Sequence, residues 1–337
     1  MKELAISIRN YNEDNYKKII NSIKEAKFKN VFIEWYNDNL TLQENVLNYV
    51  REVGLNIIFA HLGYQRPQVI WNEGFAGDIE IERYMNDITV CKNNGIDLVV
   101  IHPTFQYEKQ ELSEIGINRI KRLVKHAESI GVKVVYENVE LNGYLEYIVD
   151  NINSNNLGVC FDGGHCHLFY DGIFDVNKFK NKVFTIHLHD NFKIKDDHNL
   201  PFDGTVDWKK VIKQVVDMNY NDYIVIESGY NNYYKNLSLE EYYRLAYDRG
   251  KELKKLFDLY KDKNWVLYHQ KPVIGIKGRI QTRVIQNEDG SKKKKTEIIA
   301  EKVTFLAQAS NNKEKQPDKV DKEEKEIKKT KKEKKKN

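Results

Sequence analysis

Nine histidine, aspartate and glutamate residues that could bind a metal ion stand at the ends of short apolar runs or in the loops just after them. Neutral imidazole and carboxylate groups are common protein ligands of zinc, manganese and similar divalent ions. Several carboxylates that converge without a cation repel one another, whereas a bound ion removes the repulsion and acts as a Lewis acid. The pattern therefore predicts a metal site with the candidates His61, His102, Glu137, Asp162, His165, His187, Asp196, His198 and Glu227.

Each candidate also has an ordinary structural interpretation when it is taken alone. A single histidine such as His102 is often a hydrogen-bonded core residue, and Asp196 with His198 could simply shape a turn. The joint pattern favours metal binding, because packing alone does not explain so many ionisable groups in strand order. The remaining histidines lack this setting and are expected to be structural; they are His126, His167, His189 and His269.

The elements before these residues must position them. Short β-branched and aromatic runs alternate with stretches of helical periodicity, as in parallel sheets whose strands are joined by helices. Eight such units predict an α/β fold of the (β/α)8 barrel type, ahead of a doubly wound sheet, and barrel active sites form where the strands end. The predicted strands are LAISI (4–8), VFIEW (31–35), NIIFAHL (56–62), LVVIHP (98–103), KVVYENV (133–139), LGVCFDGGH (157–165), VFTIHLHD (183–190) and YIVIES (223–228).

The formal charge of +4 averages two regions of opposite sign. Residues 263–337 carry 22 Lys and Arg against 11 Asp and Glu, a net of +11, which leaves −7 for residues 1–262. We therefore predict a barrel over 1–262, a basic segment with two strands over 263–310, and a disordered Lys/Glu-rich tail over 311–337.

Composition also restricts where the chain is expected to work. The cysteines Cys91, Cys160 and Cys166 are odd in number and widely spaced, which favours a reducing, cytoplasmic location over a disulfide framework. The sequence has no apolar run near the ~18 residues of a membrane helix. Its N-terminus also lacks the apolar run of a signal peptide. We expect a cytoplasmic protein without a membrane partner.

The barrel segment resembles the xylose isomerase-like TIM barrel superfamily, through YENV (136–139), CFDGGH (160–165), HLHDN (187–191), DDHNLPFDGTVDW (196–208) and VIES (225–228). The sugar phosphate isomerase and epimerase branch is the most similar. This resemblance implies one divalent ion (Mn, Zn, Co or Mg) held by Glu137, Asp162, His187 and Glu227. It further implies that Glu137 and Glu227 transfer protons next to the carbonyl of a small sugar or sugar phosphate, with His165 near the substrate.

The endonuclease IV branch of the same superfamily is similar at further positions. It implies a cluster of up to three zinc ions that cleaves a phosphodiester, as in an abasic-site endonuclease. Two observations place this alternative second: Phe202 stands where that branch has glycine, and a net charge of −7 suits duplex DNA poorly. The additional ligands that it implies are His61, His102, His165, Asp196 and His198.

The segment 275–308 resembles the C-terminal part of bacterial single-strand DNA-binding proteins, through GRIQTR (278–283) and TEIIAEKVTFL (296–306). The resemblance implies a partial OB-fold that binds single-stranded nucleic acid weakly, because the first strands of that fold are missing. A solvated basic segment without a specific partner is an equally good interpretation. The residues implied to face phosphates are Arg279, Arg283, Lys292, Lys293, Lys294 and Lys295.

Overall fold

The computed structural model describes residues 3–35, 39–105, 110–140 and 143–262, together with the backbone of two strands at 273–286 and 292–306. Within the first four ranges, eight strands alternate with eight α-helices. The strands are β1 (Leu4–Ile8), β2 (Asn30–Glu34), β3 (Asn56–His61), β4 (Leu98–Ile101), β5 (Lys133–Glu137), β6 (Leu157–Asp162), β7 (Val183–His187) and β8 (Ile224–Ile226). The helices are α1 (Tyr16–Glu25), α2 (Leu40–Glu52), α3 (Phe75–Asn93), α4 (Glu114–Ile130), α5 (Tyr144–Asn151), α6 (Gly163–Phe169), α7 (Trp208–Asp217) and α8 (Leu239–Lys261). Among the described helices, none combines the length and the apolar character needed to cross a bilayer.

The eight strands form one closed parallel sheet. Strands β1 to β7 pair in sequence order, and β8 pairs with β1. A parallel bridge between Leu188 and Ile226 joins the β7 side to β8. There the amide of Leu188 donates to the carbonyl of Val225 at 2.9 Å. The closure confirms the predicted (β/α)8 barrel and excludes the doubly wound alternative, whose sheet stays open.

Local sequence explains where these elements begin and end. All five residues of β1 are buried, as expected for a strand with helices on one side and the barrel interior on the other. Helix α4 begins after Ser113, whose hydroxyl accepts a hydrogen bond from the amide of Gly116 at 3.1 Å. The helix ends at Gly131, whose φ of 71° is a left-handed conformation that glycine adopts freely.

Strand β6 ends at Asp162, as predicted, but the rest of the run 157–165 is helical. Helix α6 begins at Gly163 and carries His165 in its first turn. The Asp162 carboxylate caps α6 by accepting a hydrogen bond from the amide of His165 at 2.6 Å. With only seven residues, α6 is too short to show helical periodicity in the sequence. The consequence is that His165 starts a helix above the barrel mouth rather than ending a strand.

The chain divides into two compact units, Met1–Trp265 and Val266–Asn337. In the second unit, β9 (Val273–Gln286) and β10 (Lys292–Leu306) pair in antiparallel fashion, as the two strand-like runs predicted. Two strands do not make an OB-fold, so the partial OB-fold stays a prediction. Residues 287–291 and the predicted tail at 311–337 lie outside the described residues.

Candidate metal centre

Four buried side chains meet where strands β5 to β8 end. Glu137, Asp162 and His187 are the last residues of β5, β6 and β7, and Glu227 directly follows β8. Each offers a ligand atom, and these four atoms lie within 4.8 Å of one another. All four residues are at most 3% exposed. We call them the inner group; they are the four ligands that the isomerase resemblance implies.

In the inner group, the imidazole of His187 lies close to the carboxylates of both glutamates. His187 Nδ1 lies 3.1 Å from Glu137 Oε1 and 3.3 Å from Glu227 Oε2. Burial alone would raise the pKa of both glutamates, but the charge of His187 lowers each pKa well below its usual value. Burial alone would lower the pKa of His187, but nearby Cys160 and Glu227 raise it well above its usual value. Both glutamates are therefore ionised at neutral pH, the state in which they can bind a cation.

Two predicted histidines contact the inner group from strands β3 and β4. Nε2 of His61 lies 3.1 Å and Nε2 of His102 lies 3.3 Å from Glu137 Oε2. His61, Glu137 and His187 form a further set of three donors within 4.8 Å of one another. His102 belongs to none of the donor sets found in the described residues. Burial is the main reason that the pKa of His102 is lowered, which keeps its imidazole neutral.

A second set of donors lies beside the inner group, and we call it the outer group. It comprises His165, His189, Asp196 and His198, whose donor atoms again lie within 4.8 Å of one another. The Oδ2 atom of Asp196 is 3.2 Å from His165 Nε2 and 2.8 Å from His198 Nε2. His165 also links the two groups, since its Nδ1 lies 3.4 Å from Glu137 Oε1. The loop residues Asp196 and His198, which could have been simple turn residues, thus face the barrel mouth.

His189 is a member of the outer group that sequence reasoning missed. We expected it to be structural, yet its Nε2 lies 3.1 Å from Asp162 Oδ1 and its ring stacks on that of His198 with centroids 4.1 Å apart. Side chains alternate along an extended chain, so a residue two places after His187 points to the same side. The two-residue spacing of His187 and His189 in the sequence HLH could therefore have predicted that His189 faces the site. Burial lowers the pKa of His189, but Asp162 and Asp196 raise it above its usual value.

Several buried oxygen and nitrogen atoms of both groups, which could act as metal ligands, make no hydrogen bond. In the described part of the chain these atoms are Asp162 Oδ2, His187 Nε2, Glu227 Oε2 and both ring nitrogens of His189. Glu227 Oε2 and His189 Nε2 keep a charged neighbour at 3.3 and 3.1 Å, but a polar atom left without any partner in a protein interior costs about 1–3 kcal/mol. A divalent ion would satisfy several of these atoms at once, and imidazole with carboxylate is a suitable donor set. The residues present therefore fit a divalent metal.

A cavity of about 290 Å³ opens above the inner group. Arg9 and Glu34, at the ends of β1 and β2, line it and form an ion pair of 2.8 Å. Arg9 Nη1 also lies 2.8 Å from Nδ1 of His198. Neither residue was among the predicted candidates, although the same strand-end rule applies to them. Tyr64 lines the cavity as well, and its ring stacks on that of His102 with centroids 4.5 Å apart.

Comparisons with known proteins agree with this architecture. A family model described as xylose isomerase-like TIM barrel matches residues 20–253. The inosose isomerase of Bacillus licheniformis is 27% identical over 183 residues, which cover 49% of this chain and 66% of that protein. The probable endonuclease 4 of Mesoplasma florum is 23% identical over 228 residues, 60% of this chain and 73% of that protein. The chain spans about three fifths of the length of the first curated relatives that it matches.

Solved structures share the fold at low sequence identity. An L-ribulose 3-epimerase superposes with a TM-score of 0.63 at 12% identity, over 81% of this chain and 100% of that one. The IOLI protein, solved with a zinc atom, superposes with a TM-score of 0.60 at 18% identity, over 77% of this chain and 99% of that one. At these identities the likeness concerns the fold.

Proposed function

The chain belongs to the xylose isomerase-like TIM barrel family, and from this premise we propose that it is a divalent-metal-dependent isomerase or epimerase of a small sugar. The inner group carries the proposal. Its two glutamates, one aspartate and one histidine are buried at a barrel mouth, with ligand atoms within 4.8 Å of one another. Three of these residues hold a donor atom that makes no hydrogen bond within the described chain.

The proposed reaction is a proton transfer next to a carbonyl group. Glu137 ends β5 and Glu227 directly follows β8, and both carboxylates lie within 3.3 Å of the same ring nitrogen of His187. One takes a proton from the carbon beside the carbonyl, and the other returns a proton to that carbon or to its neighbour. His165 lines the same cavity and would lie near the substrate. When bound, a divalent ion supplies Lewis-acid polarisation of the carbonyl.

Proton exchange with solvent gives a direct test. The full-length protein is loaded separately with Mn²⁺, Zn²⁺, Co²⁺ or Mg²⁺ and incubated with ketoses, sugar phosphates and an inosose in D₂O. We expect deuterium at the carbon next to the carbonyl, detected by NMR, and no incorporation after chelation of the metal. Glu227→Gln should abolish incorporation, because it removes both a carboxylate ligand and a proton carrier. Equal divalent-ion content and affinity in Glu227→Gln and wild type would contradict the proposed metal site.

An endonuclease IV-like phosphodiesterase is the second candidate for the barrel. The outer group and the set of His61, Glu137 and His187 favour it, because they provide donors beyond those that one ion needs. A single ion per chain favours the isomerase, whereas three zinc ions and nicking of abasic DNA would make our leading proposal wrong. His61→Ala separates the two further, since a one-ion isomerase tolerates the loss of His61 better than a three-ion nuclease.

Weak nucleic-acid contact by β9 and β10 is a separate candidate function, supported by the net charge of +11 over residues 263–337. The register of the two strands decides which of the predicted cations share a face. Lys295 lies opposite Arg283, and Ile299 lies opposite Arg279. Because successive residues alternate between faces, this register sorts the predicted cations into two sets. Lys293 and Lys295 share a face with Arg279 and Arg283, whereas Lys292 and Lys294 fall on the opposite face.

Because the lysines alternate between the two faces, two pairs of substitutions can be compared that change the net charge equally but on opposite faces. In the full-length protein, Lys293→Glu with Lys295→Glu should weaken binding to a labelled single-stranded oligonucleotide at low salt by about tenfold or more. Lys292→Glu with Lys294→Glu changes the net charge equally but on the other face, so it should weaken binding less. Fluorescence anisotropy over a salt series measures both. Equal losses would show that only net charge matters.

A further inference from the structure

We propose that Asp190 is the positioning residue that folds the loop carrying Asp196 and His198, and that it thereby assembles the outer group. The inference rests on the second candidate under the proposed function, in which the outer group binds an ion in addition to that of the inner group. The loop connects β7 to α7, and within it no helix or strand longer than a single bridge fixes residues 191–206. Something else must therefore offset the conformational entropy of holding these residues in one arrangement.

The Asp190 carboxylate is fully buried and accepts four hydrogen bonds. Its Oδ1 accepts from the amides of Asn191 at 2.9 Å and Val206 at 3.0 Å. Its Oδ2 accepts from the amide of Phe202 at 3.0 Å and from the indole Nε1 of Trp208 at 2.8 Å. All four donors are uncharged, and hydrogen bonds to an ionised acceptor are about twice as strong as neutral ones. One carboxylate thus holds the start, the middle and the end of the loop.

The backbone around Asp190 closes the loop further. The amide of Asp190 donates to the carbonyl of Asn199 at 2.8 Å, and the amide of Asn199 donates back at 2.9 Å. Gly204 packs so closely that a Cβ there would lie 2.3 Å from Asp190 Oδ1. His198 and Phe202 have φ angles of 48° and 74°, a strained left-handed conformation for residues other than glycine. The loop is therefore wrapped around this carboxylate in a conformation that the free chain would rarely adopt.

This arrangement assigns different roles to two consecutive residues. His189 contributes its ring to the outer group, within 3.6 Å of Asp196 Oδ1. Asp190 lies on the other side of the chain, and it does not line the cavity above the inner group. It therefore touches neither the proposed substrate space nor the candidate ligand atoms of Asp196 and His198. Its effect on the outer group is indirect, through the loop.

Asp190→Asn in the full-length protein tests the role. The amide keeps the size of the side chain but removes the charge and turns an NH₂ group towards two donors. We expect hydrogen–deuterium exchange of the 191–206 amides to rise about tenfold, measured by mass spectrometry. Cobalt chloride serves as the metal probe. Compared with the wild type, we expect the variant to lose the cobalt ion bound by the outer group and the visible absorption bands of that ion, and to keep the ion bound by the inner group.

Asp207→Asn is the matched control. Asp207 lies at the end of the same connection, but its side chain caps α7 by accepting from the amide of Lys210 at 3.1 Å. This variant should leave loop exchange and cobalt content unchanged. Trp208→Phe removes one of the four donors and keeps a ring, so it should raise loop exchange in the same direction by a smaller amount.

The outcomes separate the positioning role from the proposed function. Wild-type exchange and full cobalt content in Asp190→Asn would overturn the positioning role. Faster loop exchange in a protein whose wild type binds no cobalt would support the role of Asp190 in folding the loop and count against metal-dependent catalysis. If Asp190→Asn does not fold, hydrogen–deuterium exchange of the 191–206 amides in Trp208→Phe takes its place. Faster exchange than in the wild type supports the positioning role of Asp190, and unchanged exchange overturns it.

Discussion

The inner and outer groups lie side by side at the barrel mouth, but different kinds of structure assemble them. Every inner residue ends or directly follows a strand, so the hydrogen-bonded sheet fixes its backbone. The outer group takes His165 from the start of a helix, His189 from the chain after β7, and Asp196 with His198 from a loop. The side chains of Asp196 and His198 are 32% and 21% exposed, whereas the inner side chains are at most 5% exposed.

The inner group is expected to be the more robust of the two against substitution. The backbone of each inner ligand ends or directly follows a strand, so cross-strand hydrogen bonds of the barrel restrain it. The outer ligands depend on one buried carboxylate and a few loop contacts, and loops open locally at a lower free-energy cost than core strands. We therefore expect substitutions in the inner group to affect the proposed reaction most, and substitutions that touch only the outer group to affect it less.

Glu137→Gln should have the largest effect. Glu137 contacts His61, His102, His165 and His187, so the substitution removes the charge that all four imidazoles share. We expect deuterium incorporation to fall by roughly a hundredfold or more, because losing a ligand costs at least as much as the 10- to 100-fold typical of its hydrogen-bonded supports. Glu140→Gln is the control: Glu140 lines the same cavity but belongs to neither group. Similar losses in both variants would contradict the special position of Glu137.

Gly164→Ala should have an intermediate effect, confined mainly to the outer group. A Cβ at position 164 would lie 2.1 Å from Cε1 of His189, so the imidazole must move. Overpacking of this kind costs about 1–3 kcal/mol of the free energy of unfolding. Urea unfolding with and without zinc measures this cost and the stabilisation that zinc provides, which should shrink in the variant.

Gly163→Ala is the matched control for that experiment. A Cβ at position 163 would lie 2.9 Å from a methyl group of Val211, which can shift more easily than a buried ring. Its effect on unfolding should be smaller, and zinc should stabilise it as it does wild type. A larger loss of zinc stabilisation in Gly163→Ala than in Gly164→Ala would show that His189 does not contribute to ion binding.

Ser228→Ala should have the smallest effect. The Ser228 hydroxyl donates to the carbonyl of His198 at 2.6 Å and contacts the hydroxyl of Tyr242 at 2.8 Å. Losing these bonds should cost about 1–3 kcal/mol of stability and weaken the outer ion only a few-fold, since the Asp190 contacts persist. Ser22→Ala removes a buried hydroxyl that bonds only Lys18 within α1. If both serine variants bind zinc equally, Ser228 does not help to place His198.

The inner group could be predicted because its position follows from chain order. Apolar runs alternating with helices predict a parallel barrel, and the last residue of each strand must then face one mouth. The same rule places Arg9 and Glu34 at this mouth, although neither is among the predicted candidates. His165 lies in the first turn of α6 rather than at a strand end, and a helix of seven residues leaves no periodic pattern that would predict it.

Residue types along the chain were enough to predict the barrel, the placement of four candidate ligands at strand ends, and the charge difference between the barrel and the C-terminal segment. Local patterns suffice for these features, since burial and strand order depend on residue types along the chain. Only the tertiary structure decided that His189 joins His165, Asp196 and His198. That group depends on long-range contacts: the Asp190 carboxylate holds residues up to 18 positions away. The alternation of residues along a strand does not predict such contacts, because they form only when the loop folds back on the barrel.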